Sequence, residues 1–252
     1  MRENESRNGT ENGPESRSPG EDVGAALREA ARHGPFFALA TGGKGAEAAA
    51  PAWRPLARSG PEALRPVIDS YAAKLRTDEP RVAASILFQA LAARLWTPVL
   101  ATATGPHRVV PDLAELRWRY AEEDGLSLWL PGPTAYGEGG GEGDPVAALH
   151  GTVVGALLRP LAGAFMATVK IAEPLLWGNA AAALAGTVHT APAPARRRDR
   201  TAALVRALHA LEPLRDAGDF TPGGYLRRSC CLYYRVPPGG AKCGDCALRT
   251  GP

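Results

Sequence analysis

All four cysteines of this 252-residue chain lie at or beyond position 230: Cys230 and Cys231 are adjacent, eleven residues follow, and then come Cys243-Gly244-Asp245-Cys246. A disulfide-stapled secreted domain would spread its cysteines through the fold. Four thiols in one segment can instead supply four soft thiolates to one metal centre. Zinc and iron–sulfur clusters both take such a donor set. A zinc site is usually built from two C-x2–4-C knuckles, and here only Cys243 and Cys246 have that spacing. Adjacent residues on an extended strand point to opposite faces, so Cys230 and Cys231 reach a single ion only where the backbone bends sharply. A [2Fe–2S] rhomb has two irons with two open ligand positions each and demands less distortion. The spacing favours the cluster and leaves structural zinc and a redox dithiol open.

Arg227, Arg228, Arg235 and Lys242 lie within a few residues of these thiols. Positive charge there favours the reduced form of a thiolate-bound cluster, as do backbone amides donated to sulfur. The five histidines are scattered without metal-ligand spacing, and no nucleophile elbow or nicotinamide or flavin fingerprint is present. Thr41-Gly42-Gly43-Lys44-Gly45 is glycine-rich but fits neither phosphate-binding pattern, and reads as a loop.

The elements that must hold the cysteines are mostly helical. Helices are expected from Asp22 to His33, Pro61 to Arg76 and Arg81 to Trp96, the last with Ala84, Leu87, Phe88, Leu91 and Leu95 on one face. Between Leu116 and Leu130 the period changes to two, with a glycine-containing turn, which predicts a β-hairpin. Gly132 to Gly143 reads as an acidic, glycine-rich loop. Asp144 and Pro145 open a further helix that Pro160 should interrupt. Segments from Leu161 to Ile171 and Leu175 to Val188 follow, and a last helix should start at Asp199. The Arg196-Arg197-Arg198 run after Ala-Pro repeats reads as a solvated linker. The expected fold class is α+β and helix-dominated, with a small antiparallel sheet or hairpin and a C-terminal cluster-binding segment. Three regions are expected: a disordered tail over 1–20, a helix-rich α+β domain over 21–215 and the cluster-binding segment over 216–252.

Composition narrows the function. Apolar residues make up 45% of the chain, which suits a globular core, and a net charge of +3 is too small to argue for nucleic acid. The N-terminus has no apolar signal region, and no run of about 18 uninterrupted apolar residues exists, so a cytoplasmic protein without an integral membrane segment is expected.

The segment Arg228-Ser229-Cys230-Cys231-Leu232-Tyr233-Tyr234-Arg235, then Gly239-Gly240 and Cys243-Gly244-Asp245-Cys246, resembles the C-terminal signature of the FhuF-type ferric siderophore reductases. There the linker is about ten residues; here it is eleven. Leu176-Trp177-Gly178-Asn179-Ala180 resembles that family's W-G-N stretch. The resemblance implies that Cys230, Cys231, Cys243 and Cys246 hold one [2Fe–2S] cluster, which passes single electrons to siderophore-bound iron(III). Reduction loosens a hard-oxygen chelator's hold on the metal. A ferric siderophore would be the substrate, and a ferredoxin or flavoprotein reductase the external electron donor. Trp177, Asn179 and Arg227 are the candidate substrate-binding residues, Trp177 as an apolar wall and Asn179 as a donor to chelate oxygen; the alternative is that Trp177 packs in the core and Asn179 caps a helix end. The alternatives are a zinc-bearing binding or regulatory protein, and an iron–sulfur carrier or sensor with no siderophore chemistry.

Overall fold

The computed structural model describes residues 19–42, 52–137, 143–190, 193–239 and 242–248. The tail expected over 1–20, the glycines and lysine of Gly43–Gly45, part of the Gly132–Gly143 loop and Gly240 fall largely outside those residues.

Helix α1 (Pro19–Ala31) leads to two short strands, β1 (Ala40–Thr41) and β2 (Arg54–Pro55), and then to α2 (Pro61–Lys74) and α3 (Pro80–Thr104). The expected hairpin is β3 (Arg117–Ala121) and β4 (Gly125–Leu130), with Trp118 opposite Leu128 and Tyr120 opposite Leu126. Gly125 takes a left-handed φ of 70° at its turn, which suits a residue without a Cβ. The two-residue strands escaped the sequence reading because so few residues carry no period: β2 pairs antiparallel with β3, and β1 adds parallel to β4. Trp118, Leu126, Leu128 and Leu130 point from this sheet into one continuous hydrophobic core shared with the helices.

Helix α3 is the centre of that core. It extends eight residues past the expected end at Trp96, through Pro98 to Thr104, with Val99, Leu100, Ala101 and Ala103 all buried. A helix buried on every side is apolar on every side, so its periodicity fades where burial is most complete. Its C-terminal carbonyls are met by guanidinium groups: Arg197 donates to the Ala101 carbonyl at 2.9 Å and Arg200 to that of Thr104 at 3.2 Å. Those arginines stand on α7 (Ala195–His209), which begins four residues before the expected Asp199. The arginine run is therefore helical, and it caps a neighbour rather than forming a linker.

Pro160 also behaves differently from expectation. A continuous helix runs as α4 (Pro145–Leu149), a π-helical stretch over His150–Leu158 and α5 (Arg159–Thr168). The wider π turn has room for a ring that would clash with the carbonyl four residues back in a regular α-helix, so the proline is absorbed. Asp144 caps the N-terminus as expected, its Oδ1 accepting from the Val146 amide at 2.9 Å. Helices Pro80–Thr104 and Pro145–Thr168 are both long and apolar enough by composition to cross a bilayer, but 72% and 44% of their most apolar windows are buried within the fold. α6 (Glu173–Thr190) lies along α3 and carries the Trp-Gly-Asn stretch.

After α7 comes a second, two-stranded sheet of β5 (Gly218–Thr221) and β6 (Gly224–Arg227). Phe220 and Tyr225 from its two strands pack against the His209 ring at centroid separations of 4.9 and 5.0 Å. This hairpin hands the chain to the cysteines.

Candidate metal centre

From the end of β6 the backbone runs directly into Ser229, Cys230 and Cys231, and then turns. Leu232 adopts left-handed φ and ψ of 65° and 5°, a conformation uncommon outside glycine. The backbone thus bends immediately after the adjacent cysteine pair. It brings the Leu232 amide to 3.4 Å from Cys230 Sγ. Tyr233–Arg235 form a single 3₁₀ turn, and Cys243–Cys246 a knuckle closed by the Cys246 amide on the Cys243 carbonyl at 3.2 Å. The Leu248 amide then lies 3.4 Å from Cys246 Sγ, repeating the contact made at Cys230. Both amides donate to a sulfur two residues earlier.

All four thiols are free, with Cys231 and Cys246 buried and Cys230 and Cys243 half-buried. Cys231 Sγ and Cys243 Sγ are 3.7 Å apart. Two sulfurs bound at about 2.3 Å to one tetrahedral metal stand about 3.8 Å apart, so this pair already has the bite of a shared metal. Among the described residues, no three His, Cys, Asp or Glu side chains converge on a position for a single ion. One sulfur pair is thus brought together across the two halves of the motif, as one iron of a two-iron rhomb would need. Burial pushes the Cys230 thiol up from its ordinary pKa, the Leu232 amide opposing it. Burial also raises Cys243, with the neighbouring Asp245 and Cys231 adding to the effect. Binding metal here releases protons.

The segment is seated by polar side chains. Arg227, whose side chain is 0% exposed, donates from Nε and Nη2 to Asp245 Oδ2 at 2.9 and 2.6 Å, and from Nη1 to Asn179 Oδ1 at 2.7 Å. Asn179 Nδ2 donates to the Ser85 carbonyl and hydroxyl, both at 2.9 Å, and Ser85 Oγ donates to the Cys231 carbonyl at 2.6 Å. This closed circuit joins α6, α3, β6 and both halves of the cysteine motif. On the other flank Ser229 Oγ donates to the Pro174 carbonyl at 3.1 Å, and Arg235 binds Glu79 at 2.7 Å. Gly178 faces Ser229 so closely that a Cβ there would collide with its hydroxyl.

Trp177, Asn179 and Arg227, the residues expected to bind substrate, all lie within these contacts or beside them. Asn179 is completely buried and both ends of its amide are occupied. Arg227 is 1% exposed and fully paired. Trp177 is 5% exposed, its indole N–H donating to Glu173 Oε1 at 3.0 Å. The Trp-Gly-Asn stretch thus packs beneath the cysteine segment, with its polar atoms engaged by Glu173, Ser85 and Arg227. Sequence reading missed Ser85 and Glu79, which carry no motif and sit 146 and 156 residues from the groups they hold. Tyr233 and Tyr234 are 43% and 37% exposed and so belong to the surface near the cysteines.

Residues 227–248 match the FhuF 2Fe-2S C-terminal domain. The match covers all four cysteines together with Arg227 and Asp245, and the chain is consistent with an FhuF-like family. The cofactor this segment defines is a [2Fe–2S] cluster. No curated protein matches the chain.

Proposed function

We propose that this chain is a cytoplasmic ferric siderophore reductase, in which Cys230, Cys231, Cys243 and Cys246 hold the [2Fe–2S] cluster. In that arrangement Cys231 and Cys243, whose sulfurs lie 3.7 Å apart, would hold one iron and Cys230 and Cys246 the other. The observation that carries the reading is the 3.7 Å sulfur pair inside the segment that matches a 2Fe–2S domain. When bound, the cluster accepts and donates one electron at a time. The chain's own part is to hold the sulfurs and to donate the Leu232 and Leu248 amides to two of them. Each of these contacts stabilises added negative charge and favours reduction. A ferredoxin or flavoprotein reductase supplies one electron, the donor is oxidised, and siderophore-bound iron(III) gains that electron as iron(II). A hard-oxygen chelator holds iron(II) far less well, so the metal is released.

Iron, zinc and acid-labile sulfide should be measured on protein purified without oxygen, with the visible spectrum. About two irons and two sulfides per chain, and a brown colour bleached by dithionite, are expected. One zinc without sulfide would sink the proposal. With the cluster present, the chemically reduced protein should reduce a ferric siderophore faster than the reductant alone. Mössbauer spectra of the four single Cys→Ser variants test the pairing. Serine at 231 or 243 should alter one iron site, and serine at 230 or 246 the other.

A further inference from the structure

A cavity of about 430 Å³ opens where α2, the start of α3 and the end of α5 meet. Arg65, Asp78, Glu79, Arg81, Thr168 and Lys170 line it. Its rims are tied to both flanks of the adjacent cysteine pair. Glu79 on one rim binds Arg235, four residues beyond Cys231. Lys170 on the other lies four residues before Pro174, whose carbonyl takes the Ser229 hydroxyl. Ser85, which holds the Cys231 carbonyl, is six residues along the chain from Glu79, a rise of about 9 Å. The recesses lined by Trp118, Phe37, His107 and Tyr136 include no residue bonded to the cysteine segment.

The charge of the lining is lopsided. Glu79 is bound by Arg235 at 2.7 Å and by Arg81 at 3.0 Å. The Arg235 hydrogen bond holds its carboxyl below the ordinary range, so it stays ionised and paired. Arg65 spends one N–H on the Thr168 carbonyl at 2.9 Å and has no ion-pair partner among the described residues. Lys170 has no ion-pair partner among the described residues, and Asp78 is the one remaining acid in the lining. Cations at the mouth of a recess raise the local concentration of anions.

We infer that this cavity is the substrate site and that it selects anionic ferric chelates, of the catecholate or carboxylate class, over neutral hydroxamate complexes. The inference rests on the reductase reading. It adds where the chelate sits and what charge it carries: Arg65 and Lys170 face the anion beside the Arg81–Glu79 pair, and Glu79 lies six residues along the chain from Ser85, which holds Cys231.

Redox-inert gallium(III) complexes test it on the oxidised, cluster-loaded protein by calorimetry. The trianionic tris(catecholato)gallium complex should bind more tightly than the neutral tris(acetohydroxamato) complex, and less tightly as salt is raised. Lys170→Glu and Arg81→Glu should each weaken the trianion on the order of tenfold, with the cluster spectrum unchanged. Lys74→Glu, the same change of net charge outside the cavity, should leave binding within about twofold. Equal binding of the two complexes, or equal effects of Lys170→Glu and Lys74→Glu, would overturn the assignment while ferric reduction by the wild type still stood. A cluster-loaded protein that reduces no ferric chelate, of either charge, would overturn the reductase reading and this site with it.

Discussion

Asn179 has no exposed atom, yet its amide bridges the guanidinium of Arg227 and the hydroxyl of Ser85, each of which touches the cysteine segment or its partners. Removing that amide leaves a buried cation short of an acceptor and a buried carbonyl short of a donor. Each unsatisfied buried group costs about 1–3 kcal/mol. Asn179→Ala should therefore shorten the lifetime of the cluster in air and lower iron per chain. The KM for a ferric chelate, corrected for cluster content, should stay as in the wild type. A raised KM with a full, stable cluster would return Asn179 to the substrate. Arg227 is a case for arginine over lysine, since its planar fork reaches Asp245 and Asn179 together and a single ammonium cannot. The four cysteines, and the cations around them, were legible in the sequence because a ligand set is a matter of residue type and spacing. Ser85 and Glu79 were not, because a serine or glutamate in a helical stretch carries no sign of what lies opposite it in space.

At the scale of elements, α6 approaches the cysteine segment closely only because residue 178 lacks a side chain. Two effects oppose each other in Gly178→Ala. Helix propensity favours alanine by about 1 kcal/mol, and the added methyl collides with Ser229. Chain and helix backbone cannot move without disturbing the Pro174 and Asn179 contacts on either side, so the collision should win and the variant should be less stable than wild type. Adding Ser229→Ala removes the obstructing hydroxyl. A double-mutant cycle should then show coupling of about 1 kcal/mol or more, with the pair closer to wild type than Gly178→Ala alone. Additivity of the two changes would mean that the contact is not made. The elements that periodicity predicted well were those with one face in the core, such as the β3–β4 hairpin. Those it mistook were set by neighbours: α3 is extended by burial on every side, the start of α7 is fixed by arginines reaching α3, and Pro160 is accommodated by a π turn.

Across the whole molecule, the continuous hydrophobic core unites the four-stranded sheet with α1 to α7, and among the described residues none of its members lies beyond Tyr225. The cysteine segment is held to it by ion pairs and hydrogen bonds. Removing iron should therefore loosen one region before the other. On treatment with a chelator, backbone amides over 227–248 should exchange with solvent quickly, and those of α3 and α6 should keep their protection, as measured by hydrogen exchange. Loss of protection throughout would mean that the cluster supports the entire fold. The proposed division into regions 21–215 and 216–252 is what this experiment tests.

The side chains and carbonyls that receive the cysteine segment, Glu79, Ser85, Pro174 and Asn179, all precede it in the chain. Protein synthesis runs from the N-terminus, and domains fold as they emerge. The helical body can thus be complete while the cysteines are still inside the ribosome, so that newly exposed thiols meet a finished receptor. Cofactor delivery then becomes a late event in the life of the nascent chain, and shortage of iron or sulfide would leave a folded protein awaiting its metal.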